Sequence, residues 1–411
     1  MCQHQTSKPV AAESTSTTTT TTTVKPMNNF HSPFPDDVLD EILSFHANDF
    51  KFIVMNCALV SKQWLNVVVE RGKLSLKCNN DDKLKGQFLQ NIETLKVDRE
   101  SLTIMFDCKI LEFMKQLTDL DVQYNNLGTD EVKYISQLKQ LRNLDISINN
   151  IDKEGAKYIS QLSQLTKLNI SGNCYCIGTE GAKHISSMKQ LTYLDISKNE
   201  IGDEGAKSIS ELKQLTSLYI LTNNIGDEGA KHISGMNQLT ELDISFNLIG
   251  IEGVRHISSM KQLTSLSINN AKIGDGAKYL GAMSQLTNLN IFSCNIESNG
   301  AKQISALQQL KFLGIGYNQL GHEGAKNISE MKQLDSLYIC GNDIGERGAK
   351  HISGMKRLTT LNICENNIGD NGAKFISQSK SLTILSIYSN DISQVGEKFL
   401  QRMKQLERLD I

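Results

Sequence analysis

The sequence predicts an α/β solenoid: parallel strands line a concave face, short helices form the convex one, and a small helical module precedes them. Three observations carry that reading. A 24-residue frame restarts at Leu141, Leu165, Leu191, Leu215, Leu239, Leu263, Leu286, Leu310, Leu334, Leu358 and Leu382, with a two-residue insertion near Cys174 and a one-residue deletion near Asp275. A fixed period of this length marks stacked repeats. Within each copy Leu and Ile alternate, as in Leu141-x-x-Leu144-x-Ile146, which is the period of a half-buried strand. Ala156, Ile159 and Leu162 then fall three apart, a helical stripe facing the back of that strand.

The elements follow in chain order. All four prolines lie in the first 35 residues, beside an unbroken Thr17 to Thr23 tract. Such a stretch buries too little apolar surface to offset chain entropy, so residues 1–32 are expected to be a disordered tail. Residues 33–72 turn helical. Pro35 opens an amphipathic run with Val38, Leu39, Ile42, Leu43 and Phe45 apolar, and a second run leads through Ala58 to Leu65 past Trp64, the only tryptophan. Residues 73–91 read as a linker. The solenoid is expected over 92–411, from a degenerate turn at Ile92, Leu95 and Val97 to a last strand opening at Leu406. A strand left open at that end is a pairing hazard unless the chain continues or a partner covers it.

Composition narrows the function classes. The 411 residues carry 43 Lys+Arg against 45 Asp+Glu, a formal charge of −2. That balance argues against a sequence-independent grip on nucleic acid or an anionic membrane. No apolar run reaches bilayer length and no secretory leader is visible, so the expected compartment is cytoplasmic or nuclear. Nine cysteines without framework spacing fit reduced thiols. Cys174-Tyr-Cys176 is too short for a zinc knuckle. Gly202-Asp-Glu-Gly205-Ala-Lys207 has two residues between its glycines where a phosphate loop has four, and it recurs every turn. It reads as a glycine turn opening each helix, with an acid near the positive end. His184, His232, His256 and His351 share one convex position beside a Lys or Arg. No catalytic constellation, metal site or cofactor site stands out from the repeat.

Two features point to specific roles. At the bend after each strand, ten of twelve equivalent positions are Asn: 125, 149, 173, 199, 223, 247, 318, 342, 366 and 390. A buried amide needs partners, and the backbone of adjacent turns must supply them. The exceptions, Ala271 and Cys294, are consecutive and flank the deletion, so the ladder is expected to weaken there. On the concave wall, outward positions run acidic first (Asp121, Asp145, Asp195 and Asp243, with Asp119 and Glu241) and aromatic later (Phe292, Phe312, Tyr317, Tyr338 and Tyr388). Asp121, Asp145, Asp195, Asp243, Phe292, Phe312, Tyr338 and Tyr388 are the candidate target-binding residues, matched to a partner protein with a basic and an apolar segment.

The L-x-x-L-x-I-x-x-N-x-I core resembles the leucine-rich-repeat family over about three quarters of the chain. The N-terminal module resembles an F-box. Phe34-Pro35 stands at its Leu-Pro, Val38, Leu39, Ile42, Leu43 and Phe45 at its first apolar helix, and Val60, Ser61, Lys62 and Trp64 at its V-[SC]-K-x-W. That resemblance implies docking on the Skp-type linker subunit of a cullin ubiquitin ligase through Phe34, Pro35, Val38, Leu39, Ile42, Leu43, Val60 and Trp64. The solenoid would then be the non-catalytic substrate-recognition arm. Two other readings stand beside it: a GTPase regulator akin to the leucine-rich-repeat activators of Ran, and a plain interaction scaffold whose first helices cap the stack.

Overall fold

Alternation along each strand decides what faces where. In Asn143–Asp145 the central Leu144 is buried and its two neighbours point outward, and the same pattern recurs from Asp119–Asp121 to Ile384–Ser386. The computed structural model describes residues 74–79, 89–90, 92–98, 106–173 and 177–411. The expected tail and helical module, with every F-box-like residue from Phe34 to Trp64, lie outside these, as do Cys174 to Cys176. Among the described residues fifteen strands form one parallel sheet in strict sequence order. The leucines align across it: Leu120 on Leu144, Leu144 on Leu168, and so on to Leu385 on Leu409.

The sheet starts earlier than the repeat frame suggests. Leu74–Asn79 pairs in parallel with Ile92–Asp98, inside the segment read as a linker. Leu74-x-Leu76-x-Cys78 alternates with the period of a strand, but it lacks the frame and the Asn that mark later copies.

On the other side of the turn, helices such as Lys153–Ile159 bury Gly155, Ala156 and Ile159. A small residue there leaves room for the isoleucine that leads into the helix. A Cβ on Gly155 would meet Ile151 Cγ2 at 2.6 Å. The acid of the glycine segment sits in the first turn of its own helix, as expected, and also acts across turns. Asp203 Oδ1 accepts the Gly226 and Gly229 amides of the next turn at 2.7 and 3.0 Å, and Asp227 does the same for Gly250 and Gly253. The same carboxylate that faces its own helix's positive end is thus also a cap for the following repeat.

The bend asparagines link turns in the same way. Asn223 Nδ2 donates to Ile196 O (2.9 Å) and Ile220 O (3.1 Å), while its Oδ1 accepts the Asn199 amide (2.9 Å). Asn247 Oδ1 in turn accepts the amides of Asn223 and Ile225. The ladder fails where expected. Ala271 has no amide to offer, and Cys294 supplies only its thiol, to Ile268 O (3.2 Å) and Phe292 O (3.3 Å). The cap fails beside it, because Ile251 stands where Asp203 and Asp227 stand. The helix that follows is reduced to a 3-10 turn, Gly274–Gly276, and five helical residues, Ala277–Gly281. The strands nevertheless keep register, Leu242 on Leu266 and Leu266 on Leu289. The defect is confined to the loop layer.

Removing one rung should be costly. Asn223→Ala leaves the buried Asn199 and Ile201 amides without their acceptor and removes one of two donors from Ile196 O and from Ile220 O, and should lower stability by about 2–3 kcal/mol in denaturant melts. Hydrogen exchange should be faster across residues 260–300 than across the turns on either side. Equal protection would refute the idea of a weakened segment.

Candidate binding surface

The strands place two outward columns on the concave wall, one on each side of the central Leu. A third follows the buried Ile. In the acidic half, the loops hold each carboxylate in a fixed orientation. Asp145 Oδ1 accepts the Ser147 amide (3.0 Å) and hydroxyl (2.6 Å), while Oδ2 takes Asn169 Nδ2 at 2.9 Å. Asp195 and Asp243 each accept the amide two residues on, from Ser197 and Ser245, at 3.0 Å. Asp121 is paired with Lys96 Nζ at 2.6 Å, so its charge is already partly answered within the chain. Asp119 accepts from Thr118 Oγ1 and Asn143. Around this end the wall dips into a depression of about 430 Å³ lined by Lys96, Asp119, Asp121, Asp145, Lys167 and Tyr193, among others.

Electrostatic stress is concentrated further along. Burial pushes the Asp195 carboxyl above the usual range, its bonds to Ser197 partly offset this, and Asp145 and Asp243 push it further up. Asp243 is raised in the same way by burial, with Glu241 adding to it. Two tyrosines lie within this acidic half, Tyr219 in the same column as Asp195 and Asp243. Tyr193 and Tyr219 pack at 5.5 Å between ring centroids, and Tyr219 Oη donates to Glu241 Oε1 at 2.6 Å. Burial, then the Asp195 charge, push the Tyr193 phenol to about 12.

The aromatic half is a paved surface. Phe312 and Tyr338 lie on adjacent strands with centroids 5.4 Å apart, and Phe292 and Tyr317 approach to 6.4 Å. Phe292, Phe312 and Tyr338 are half-buried; Tyr317 and Tyr388 are exposed. The rings lie down because their neighbours are glycine. A Cβ at Gly316 would meet Phe292 Cε1 at 2.5 Å, one at Gly314 would meet Phe292 Cε2 at 2.7 Å, and one at Gly341 would meet Tyr317 Cδ1 at 2.6 Å. Gly314 and Gly316 are not among the residues at positive φ, so space and not backbone conformation requires them. Two glycines at outward strand positions were the legible signal for this platform, and the sequence reading did not use it.

Cys340 and Cys364 sit behind the rings as buried free thiols. Burial, with Cys364 as neighbour, pushes the Cys340 thiol to about 11, which keeps it an inert neutral group at neutral pH. A separate apolar group lies on the rim, where Phe246, Leu248 (71% exposed) and Ile251 replace residues that are mostly polar in other turns. Among the described residues no cluster of three or more metal-ligating side chains occurs.

The raised acids have a consequence for stability. A carboxyl whose folded pKa is raised contributes stability that is complete below its unfolded value and lost as pH rises through the folded one. At neutral pH both Asp195 and Asp243 therefore carry a cost. Asp195→Asn and Asp243→Asn should each raise the melting temperature at pH 7, by about 1–3 °C. The gain should vanish below the ordinary carboxyl value of 3.8. A loss of stability at pH 7 would reverse this reading.

Comparison with known proteins agrees with the geometry. A leucine-rich-repeat family model matches residues 115–174, and a second matches 188–210, 213–234, 236–258, 283–305 and 356–377. No curated protein matches the sequence. The crystal structure of an internalin from Listeria monocytogenes superposes with a TM-score of 0.55 at 20% identity, covering 92% of this chain and 94% of that one. A leucine-rich-repeat protein of Leptospira interrogans gives 0.57 at 22% identity, covering 89% and 99%. At that identity the likeness speaks for the fold. The repeats of this chain are leucine-rich repeats, and the wall is the concave sheet of their solenoid.

Proposed function

We propose that this chain is the substrate-recognition arm of a cullin-type ubiquitin ligase. In this reading the concave wall captures a client protein and residues 34–69 dock the Skp-type linker subunit. The observation that supports client capture is the wall itself. Rigid strands present a fixed row of carboxylates beside a pavement of half-buried rings, the residue types that dominate binding energy at interfaces. Support for the ligase connection comes from the sequence alone, in Phe34-Pro35, Leu39, Leu43, Val60 and Trp64. The chain performs no bond chemistry in this scheme. It raises the effective concentration of client lysines near the conjugating enzyme.

Two experiments separate the parts. Recombinant linker subunit should co-purify with wild-type chain, and Leu39→Asp with Leu43→Asp should abolish that without moving the melting temperature of the solenoid. Failure of the wild type to co-purify would remove the ligase role and leave a scaffold. Proximity crosslinking from the wall in cells should lose its adducts in a Phe312→Ser, Tyr338→Ser double variant, by about tenfold or more. Adducts unchanged by that variant would remove the aromatic half from the client surface.

A further inference from the structure

The wall carries a second regularity, in every other strand of one column. Asp195, Asp243, Asn290 and Tyr338 occupy the same position on alternate strands, with Tyr219, Ser267 and Gly314 on the strands between. Adjacent strands lie about 4.8 Å apart, so these four groups stand about 9.6 Å apart. Their chemistry changes in order along the row: two carboxylates, an amide oxygen, an aromatic ring. Asn290 Oδ1 is buried against Gly314, where no hydrogen bond within the chain reaches it. At the far end Phe292, Phe312 and Tyr338 form the ring pavement, with Gly314 and Gly316 making room for the Phe292 ring to lie flat.

A ligand lying across the strands must repeat at that spacing on one face. A polyproline-II helix does so every third residue, at about 9.3 Å. An α-helix returns to the same face after seven residues, at about 10.5 Å. An extended strand repeats at about 6.7 Å. Over three steps the polyproline-II mismatch is about 1 Å and the α-helical one about 3 Å. Aromatic-lined grooves also favour proline rings. We propose that the wall's occupant is a polyproline-II segment with a basic residue at every third position over Asp195 and Asp243, running on into prolines over Phe292, Phe312 and Tyr338. This rests on the reading of the wall as the client surface and names the client's local chemistry. Charge complementarity orients the segment: its basic end lies on the half-buried carboxylates, and its uncharged end on the rings.

The test is fluorescence anisotropy with the full chain and three labelled peptides. One is proline-rich with arginines three apart followed by a proline run. The second is its isomer with arginines two apart. The third is an alanine-rich helix with arginines seven apart. The first should bind about tenfold tighter than either other. Asp243→Asn should remove most of that preference. Gly316→Ala, which displaces the Phe292 ring, should weaken the first peptide, and Phe292→Ser serves the same purpose should Gly316→Ala not fold. Equal binding of the two proline-rich isomers overturns the spacing argument while the client surface, tested by crosslinking, can still stand. Tighter binding of the helical peptide overturns the conformation proposed, and no binding of any peptide overturns the inference altogether.

Discussion

Each turn of this solenoid is completed by the next one, and the bend asparagine is the side chain that enforces this. Its amide nitrogen satisfies carbonyls of its own turn and the one before, and its oxygen takes an amide of the preceding turn. A single turn would leave those groups buried and unpaired, a penalty on the order of 1–3 kcal/mol for each. The cross-turn aspartate caps repeat the logic at the helix ends. Stability therefore passes along the stack from neighbour to neighbour, as expected of quasi-one-dimensional folds.

That arrangement frees the wall. Because the strand leucines and isoleucines, the bend asparagines and the helix stripe hold the geometry, outward residues can change chemistry without changing register. Asp195, Tyr219, Asp243 and Ser267 occupy one column on four consecutive strands, and all pair in the same frame. The cost of placing carboxylates there is electrostatic, and Asp195 and Asp243 show it in their raised pKa. Residues held in an unfavourable charge state are what a cationic ligand relieves.

Most of the fold was legible in the sequence because a repeat is read many times. The strand positions, the buried asparagines and the gap at Ala271 and Cys294 all follow from the 24-residue frame. What escaped lies where the frame is silent. The Leu74–Asn79 strand has the alternation but not the motif. The acid of the glycine segment is the local dipole partner it looked like, but its bond to the next turn's helix is invisible in one dimension. On the wall, the acids and rings were found from their alternation, but their packing was not. Nothing local says that Asp121 meets Lys96, or that Phe292 lies over Gly314 and Gly316, since these contacts join residues about one repeat apart.

The acidic and aromatic halves of the wall meet at the loop-layer defect. Asp243 is the last of the carboxylates in its column before the missing rung at Ala271, and Phe292 begins the rings beside the missing rung at Cys294. Within each half, strand pairing and the asparagine ladder both set the angle between turns. Between them the asparagine rungs are missing, and strand pairing acts with a shortened helix and a few loop bonds, the Asn269 amide on Ser245 Oγ, the Phe292 amide on Asn269 Oδ1 and the Cys294 thiol on Ile268 O. The weakened segment expected from the missing rungs thus lies between the two chemistries. Small changes of angle there alter the distance from carboxylates to rings while leaving each half intact. A ligand long enough to engage both halves feels that angle, whereas one confined to either half does not. On the proposed reading the defect lies where it would tune a bipartite contact, and a restored asparagine at position 271 would stiffen the spacing between acids and rings.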